Sequence, residues 1–235
     1  MNYYALSYKY IINIREYNIE LKGKNFAFLG DSITEGYGAT SAEKRYTNVF
    51  QKLSGANVTN YGIGGTRLAR QTKKTEDNPH FDLDFCMRSL KMKNGLDAIV
   101  VFGGTNDFGH GDAPLGTFDD RTPYTLYGAL HTLYSTLIKK YPTAKILVLT
   151  PLHRHDEFKD INPNRVNNYP LKTCVNAIKE VAEYYSIEVL DLYAKSGMCP
   201  FIEEQLNLYY ADGLHPNDAG YAKLADILYA YFKTL

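Results

Sequence analysis

The serine that ends the first apolar run of this sequence is the natural place to look for chemistry. Asn25-Phe26-Ala27-Phe28-Leu29 has the length of a buried strand and breaks abruptly into Gly30-Asp31-Ser32-Ile33-Thr34-Glu35-Gly36. A hydroxyl nucleophile needs a general base, a group that orients the base, and donors for an oxyanion. Asp212-Gly213-Leu214-His215-Pro216 offers the first two. A spacing of three in a turn returns Asp212 beside His215, so the carboxylate accepts from Nδ1–H and Nε2 is left to face a hydroxyl. Pro216 suits the first position of a following helix, which would set the histidine at a helix mouth. Oxyanion donors are available twice. Asn60-Tyr61-Gly62-Ile63-Gly64-Gly65-Thr66 can turn backbone amides into a cleft, and Gly103-Gly104-Thr105-Asn106-Asp107 adds the Asn106 side-chain amide. Each block has a plainer reading as a capping turn or a tight turn; their joint occurrence after apolar runs argues for acyl transfer.

Elements able to bring these blocks together are legible in the pattern. Strands are expected near 25–29, 57–61, 97–102, 145–150 and 187–190, and helices near 43–54, 82–93, 121–140, 170–185 and 217–233. Asp97–Phe102 and Lys145–Leu149 are almost continuously apolar, as strands covered on both faces are. Tyr221, Leu224, Ala225, Leu228 and Phe232 make a helical stripe. The alternation predicts a three-layer αβα sandwich around a parallel five-stranded sheet over residues 22–235. Residues 4–21 alternate with period two and predict an appended β-hairpin, so residues 1–21 form an N-terminal extension. The loops 103–120 and 151–169 follow strands and are expected to wall a cleft. Asp31 beside the serine, and Asp107, His110, His153 and Arg154 from these loops, are the candidate substrate contacts.

Composition narrows the partners. Lys+Arg and Asp+Glu balance at 26 each, so no overall field draws the chain to nucleic acid or an anionic membrane. No stretch approaches a membrane span. Met1–Leu6 carries no positive charge and Lys9 and Arg15 interrupt any apolar run, so a secretory leader is not read. Cys86, Cys174 and Cys199 form neither a metal spacing nor a disulfide framework, which places the chain in the cytoplasm. Rival motifs fail on spacing. Arg67 spoils a dinucleotide fingerprint after Gly62 and Gly64, Glu35 stands where a P-loop needs glycine, and Thr34 stands where an α/β-hydrolase elbow needs one. His153-Arg154-His155 supplies only two ligands, so no metal or cofactor is expected.

Together, Gly-Asp-Ser, Gly-Gly-Thr, Gly-Gly-Thr-Asn-Asp and Asp-x-x-His, in that order and each after its strand or before the last helix, resemble the SGNH (GDSL-type) hydrolase superfamily over about residues 22–233. The resemblance implies a flavodoxin-like fold, Ser32 as nucleophile, and Asp212 with His215 completing a triad. It also implies an oxyanion hole made of the Ser32 and Gly65 amides and the Asn106 side chain. Isoleucine follows the serine where many members have leucine, a change of similar bulk. Residues 1–21 lie outside the family core; pairing of two chains through their tyrosines is one use for them. The expected activity is hydrolysis of a small-molecule ester, with a short acyl group, acetyl by preference, on a carbohydrate or other small polar alcohol. The same residues would serve an O-acyltransferase, a lipase or a thioesterase, and the fold alone would serve a non-catalytic carbohydrate-binding module.

Overall fold

Apolar β-branched and aromatic runs set the centre of the molecule, and the computed structural model describes residues 20–76, 79–159, 167 and 169–234. The five runs become β1 (Asn25–Gly30), β2 (Asn57–Gly62), β3 (Ala98–Phe102), β4 (Lys145–Leu149) and β5 (Glu188–Leu190). They pair in parallel throughout, in the order β2-β1-β3-β4-β5. The described α-helices are α1 (Ser32–Glu35), α2 (Tyr46–Ser54), α3 (Phe85–Leu90), α4 (Thr105–His110), α5 (Leu126–Lys140), α6 (Leu171–Tyr184), α7 (Leu192–Lys195), α8 (Glu203–Tyr209) and α9 (Asp218–Lys233). The hairpin expected over residues 4–21 lies outside the described residues but for its last two positions.

Each central strand feeds two cores because successive side chains point to opposite faces. Ala27, Leu29, Ile99, Val101, Ile146 and Val148 pack with α3, α5 and α6. Phe26, Phe28, Val100, Phe102, Leu147 and Leu149 pack with α2 and α9. On that second face Phe26 meets Phe232 edge-on at 5.0 Å and Phe28 meets Phe50 edge-on at 5.5 Å, the favoured geometry for aromatic pairs. The result is the predicted αβα sandwich. β2 is an edge strand and correspondingly polar, with Asn57, Thr59 and Asn60 only partly covered or exposed.

The register aligns the strand ends. Gly62, Gly30, Phe102, Leu149 and Leu190 form one row of neighbours across the sheet. Chain leaving β1 and chain leaving β3 start from adjacent positions on that row. The order also reverses there, since β2 lies on one side of β1 and β3 on the other. In open α/β sheets such a reversal opens a crevice at the carboxyl edge.

Boundaries moved where local capping outweighs periodicity. α5 begins at Leu126 rather than near 121, because the Thr125 hydroxyl accepts from the Gly128 amide at 3.1 Å and Pro123 stands just before it. α3 begins at Phe85 because Asp84 caps it through the Met87 amide at 2.7 Å. Extended backbone at Arg45 separates α2 from a single 3-10 turn, Ala42–Lys44. Pro216 is not a first-turn residue: Asn217 accepts from the Ala219 and Gly220 amides and caps α9, which begins at Asp218. The stretch 103–120, read as a loop, contains α4, and α7 and α8 were not anticipated.

Candidate active site

The Gly30-Asp31-Ser32 break folds as a cap and one helical turn. The Asp31 carboxylate accepts from the Ile33 amide at 3.0 Å, and Gly36 closes the turn by donating to the Ser32 carbonyl. Thr34 turns inward to share a hydrogen bond with the Tyr46 hydroxyl at 2.9 Å, which fastens α1 to the α2 layer. The glycine-rich stretch after β2 crosses α1 closely. A Cβ at Gly62 would fall 2.1 Å from the Glu35 amide nitrogen, so only glycine fits. A Cβ at Gly64 would lie 3.6 Å from the Ser32 Cβ, which puts this stretch against the serine.

The second half of the site arrives from the other end of the chain. Tyr210 and Pro216 form an antiparallel bridge, and the Ala211 amide donates to the His215 carbonyl at 2.8 Å. Inside this closed turn Asp212 Oδ1 accepts from the Leu214 and His215 amides at 3.0 and 2.7 Å, while Oδ2 meets His215 Nδ1 at 2.7 Å. Burial pushes the Asp212 carboxyl up, but these hydrogen bonds outweigh it and hold the group below the usual carboxylate range. An ionised carboxylate only accepts, so Nδ1 carries the proton and Nε2 is the lone-pair nitrogen. Nε2 lies 2.9 Å from Ser32 Oγ. Residues 183 positions apart thus form one hydrogen-bonded chain.

Further contacts tie the two halves. The Thr40 amide and hydroxyl both donate to the Asp218 carboxylate, at 2.9 and 2.6 Å. The Tyr37 ring, 62% exposed, rests 4.5 Å from the imidazole centroid. Neither Tyr37 nor Glu35 was singled out in the sequence. Glu35 accepts the Gly64 amide at 2.7 Å and so holds the glycine stretch in place. Ile63 and Thr66 amides donate to the Gly30 and Ile63 carbonyls, at 3.2 and 3.4 Å. Among residues 63–66, the Gly65 amide is therefore the one with no hydrogen-bond partner among the described residues. Gly65 has φ +72°, and a Cβ there would strike the Phe81 ring at 2.2 Å. Asn106 sits in the first turn of α4, buried, with Nδ2 donating to the Thr66 carbonyl at 3.0 Å. The segments after β1, β2 and β3 therefore meet at the row of strand ends.

Other sequence-selected residues do different work. Asp107 is buried and its two oxygens accept the Leu68 and Ala69 amides at 2.9 Å each, so it pins the chain after β2 and does not face a cleft. His110 is half-buried and contacts Asn106 and Arg67. Arg154 is buried, paired with Asp156 at 2.5 Å and donating to the Thr105 carbonyl at 3.2 Å. His153 meets Glu157 at 2.7 Å and packs 3.7 Å from the Tyr193 ring, whereas His155 contacts the Pro200 carbonyl at 3.0 Å. Arg88, unremarked in the sequence, is buried beneath the site. It donates to Thr66 Oγ1 at 2.6 Å, to the Gly30 carbonyl at 2.9 Å and to the Tyr61 carbonyl.

Asp31 is also a floor residue, 2% exposed, and not a substrate contact. Burial pushes its carboxyl up to about 7, against the pull of the Ile33 amide and the Arg88 charge. The folded state therefore holds this proton more tightly than the unfolded chain. Stability that Asp31 lends at acid pH is lost as pH rises from about 4 through about 7. Asp31→Asn keeps the cap without the charge. Denaturant titrations at pH 5 and pH 8 should show the variant gaining on the parent by about 3 kcal/mol over that interval. A gap that stays constant with pH would show that Asp31 is not protonated on folding.

No described helix is long and apolar enough to cross a membrane. Comparison with known proteins agrees with the geometry. The model of the GDSL-like Lipase/Acylhydrolase family matches residues 28–223. An acetylxylan esterase from Xylanibacter ruminicola is 26% identical over 224 residues, covering 88% of this chain and 42% of the relative. The chain thus spans less than half the length of that curated relative. A solved protein from Lactobacillus plantarum is 30% identical, with a TM-score of 0.76 over 91% of this chain and 98% of its own. Another solved structure is 32% identical, with a TM-score of 0.80 over 92% of this chain and 99% of its own. With four ordered blocks meeting on one sheet edge and a family match running through all of them, the chain belongs to the GDSL-like Lipase/Acylhydrolase family.

Proposed function

We propose that this chain is a serine esterase that removes a short acyl group, acetyl by preference, from a carbohydrate or other small polar alcohol through an acyl-enzyme. The observation that carries the reading is the continuous hydrogen-bonded chain from Asp212 through His215 to Ser32, at 2.7 and 2.9 Å. His215 Nε2 takes the serine proton as Oγ attacks the ester carbonyl. Asp212 holds the ring in the required tautomer and stabilises the imidazolium that forms. Charge gathering on the carbonyl oxygen is met by the Gly65 and Ser32 amides and by the Asn106 side chain. Collapse of the tetrahedral intermediate breaks the ester C–O bond, and the imidazolium gives its proton to the departing alcohol. Water then enters, loses a proton to His215, and frees the acid and Ser32. No cofactor takes part in these steps.

The acetyl preference is supported by the acetylxylan esterase relative, at 26% identity. Labelling with a fluorophosphonate followed by peptide mapping, and then a series of p-nitrophenyl acetate, butyrate and octanoate, tests the reading. The expected result is a label on Ser32 and a rate that falls as the acyl chain grows. A rate that climbs with chain length would replace it with a lipase or thioesterase. No label at all would remove the enzyme assignment.

A further inference from the structure

Behind the proposed oxyanion amide stands a chain of polar side chains that the steps above do not use. Asn106 and His110 are four residues apart, one above the other on the same face of α4. His110 Nε2 lies 3.2 Å from Asn106 Oδ1, and His110 Nδ1 lies 2.5 Å from Arg67 Nη2. The guanidinium also donates to the His110 carbonyl at 3.2 Å and to the Phe81 carbonyl at 3.3 Å, so its position is fixed from three sides.

Donor logic fixes every proton in this chain. Arginine has no acceptor, so His110 Nδ1 must accept. A neutral ring accepting at Nδ1 carries its proton on Nε2, and the Asn106 atom facing it must be the oxygen. Nδ2 is then turned toward the Thr66 carbonyl, where the structure has it at 3.0 Å. One Nδ2 proton is used there and the other belongs to the proposed oxyanion site. The opposite amide orientation would set two donors against each other at His110. Burial, with Arg67 and Arg154 nearby, pushes the imidazole down to about 4, so the ring stays neutral at ordinary pH.

We infer that Arg67 and His110 are positioning residues for Asn106: they lock its amide in the donating orientation and carry Arg67 charge toward the developing oxyanion through two successive hydrogen bonds. This rests on the esterase reading and on Asn106 as an oxyanion donor. Hydrogen bonds in series polarise one another, so a cation at the far end makes the last N–H a better donor. His110, expected to touch substrate, acts one step behind it.

The test is a set of kinetic comparisons on p-nitrophenyl acetate. His110→Leu removes both bonds and should lower kcat about tenfold with KM little changed, the size expected for an orienting hydrogen bond. His110→Gln can accept from Arg67 through its carbonyl and donate to Asn106 through its amide, and should recover most of the loss. On an Asn106→Ala background, His110→Leu should change kcat less than twofold, because the group it orients is gone. Nitrogen NMR of the parent protein should find the His110 proton on Nε2. An unchanged kcat in His110→Leu while Asn106→Ala is crippled would overturn this inference and leave the esterase reading standing. Equal losses from His110→Leu with and without Asn106, or a proton on Nδ1, would also overturn it. Full activity in Asn106→Ala would remove the oxyanion assignment and the inference together. If His110→Leu fails to fold, the Gln variant and the ring proton still decide.

Discussion

Ser32→Ala is expected to reduce ester hydrolysis by about four orders of magnitude or more while leaving the fold intact. On the proposed mechanism this hydroxyl is the atom that becomes the acyl carrier. Its hydrogen bond runs to His215 Nε2 at 2.9 Å, at a partly exposed position, so losing it costs the folded state little. Thermal denaturation should change by no more than about 1 kcal/mol. His215→Ala should reach the same low rate, and the double variant should be no slower than either single one, because the two side chains act as a unit. What rate remains belongs to the oxyanion donors and to binding. Measurable turnover of p-nitrophenyl acetate within tenfold of the parent by Ser32→Ala would place the chemistry elsewhere. Fluorophosphonate labelling lost in the same variant would complete the assignment.

Asn106→Ala should lower kcat by about a hundredfold to a thousandfold, the usual cost of one oxyanion-hole donor. KM should move far less, since the amide is needed where charge develops and not where the neutral ester sits. This substitution also disturbs the fold. Asn106 is buried, and its loss strands the Thr66 carbonyl at one end and the His110 N–H at the other. Each stranded group costs about 1–3 kcal/mol, so a lower melting temperature should accompany the slower rate. Asn106→Asp separates the two effects. It keeps the shape but replaces a donor with an acceptor, so it should be at least as slow as Asn106→Ala. An Asn106→Asp rate close to the parent would remove the side chain from the oxyanion site.

The sheet was readable because its central strands are almost uninterrupted apolar runs. Ala98–Phe102 is buried at every position, and no helical stripe competes with it. The convergence of Ser32, Asp212 and His215 was readable because each lies in a recognisable block that follows a strand or precedes α9, as Asn106 does. What lay hidden depends on the third dimension. α4 escaped notice because Thr105–His110 is one and a half turns with a glycine inside and no apolar stripe. Asp31 and Asp107 look like exposed acids in a polar block, yet both are buried by neighbours far off in the chain, with their oxygens on backbone amides. Arg67 and Arg88 carry no local signal at all. Their partners come from β1, β2, α4 and the segment around Phe81, and no spacing rule links those. Pro216 suits the first position of a helix by residue type, but the Asn217 side chain caps the Ala219 and Gly220 amides and so leaves Pro216 ahead of the cap.

The clasp between Thr40 and Asp218 spans 178 residues and joins the turn after α1 to the first residue of α9. Ser32 precedes His215 by 183 positions, so on the proposed mechanism a growing polypeptide carries the nucleophile well before the base that would activate it. On that reading, hydrolytic power switches on only when α9 seats. Recovery of turnover after dilution from denaturant would time the docking of α9, not the collapse of the sheet.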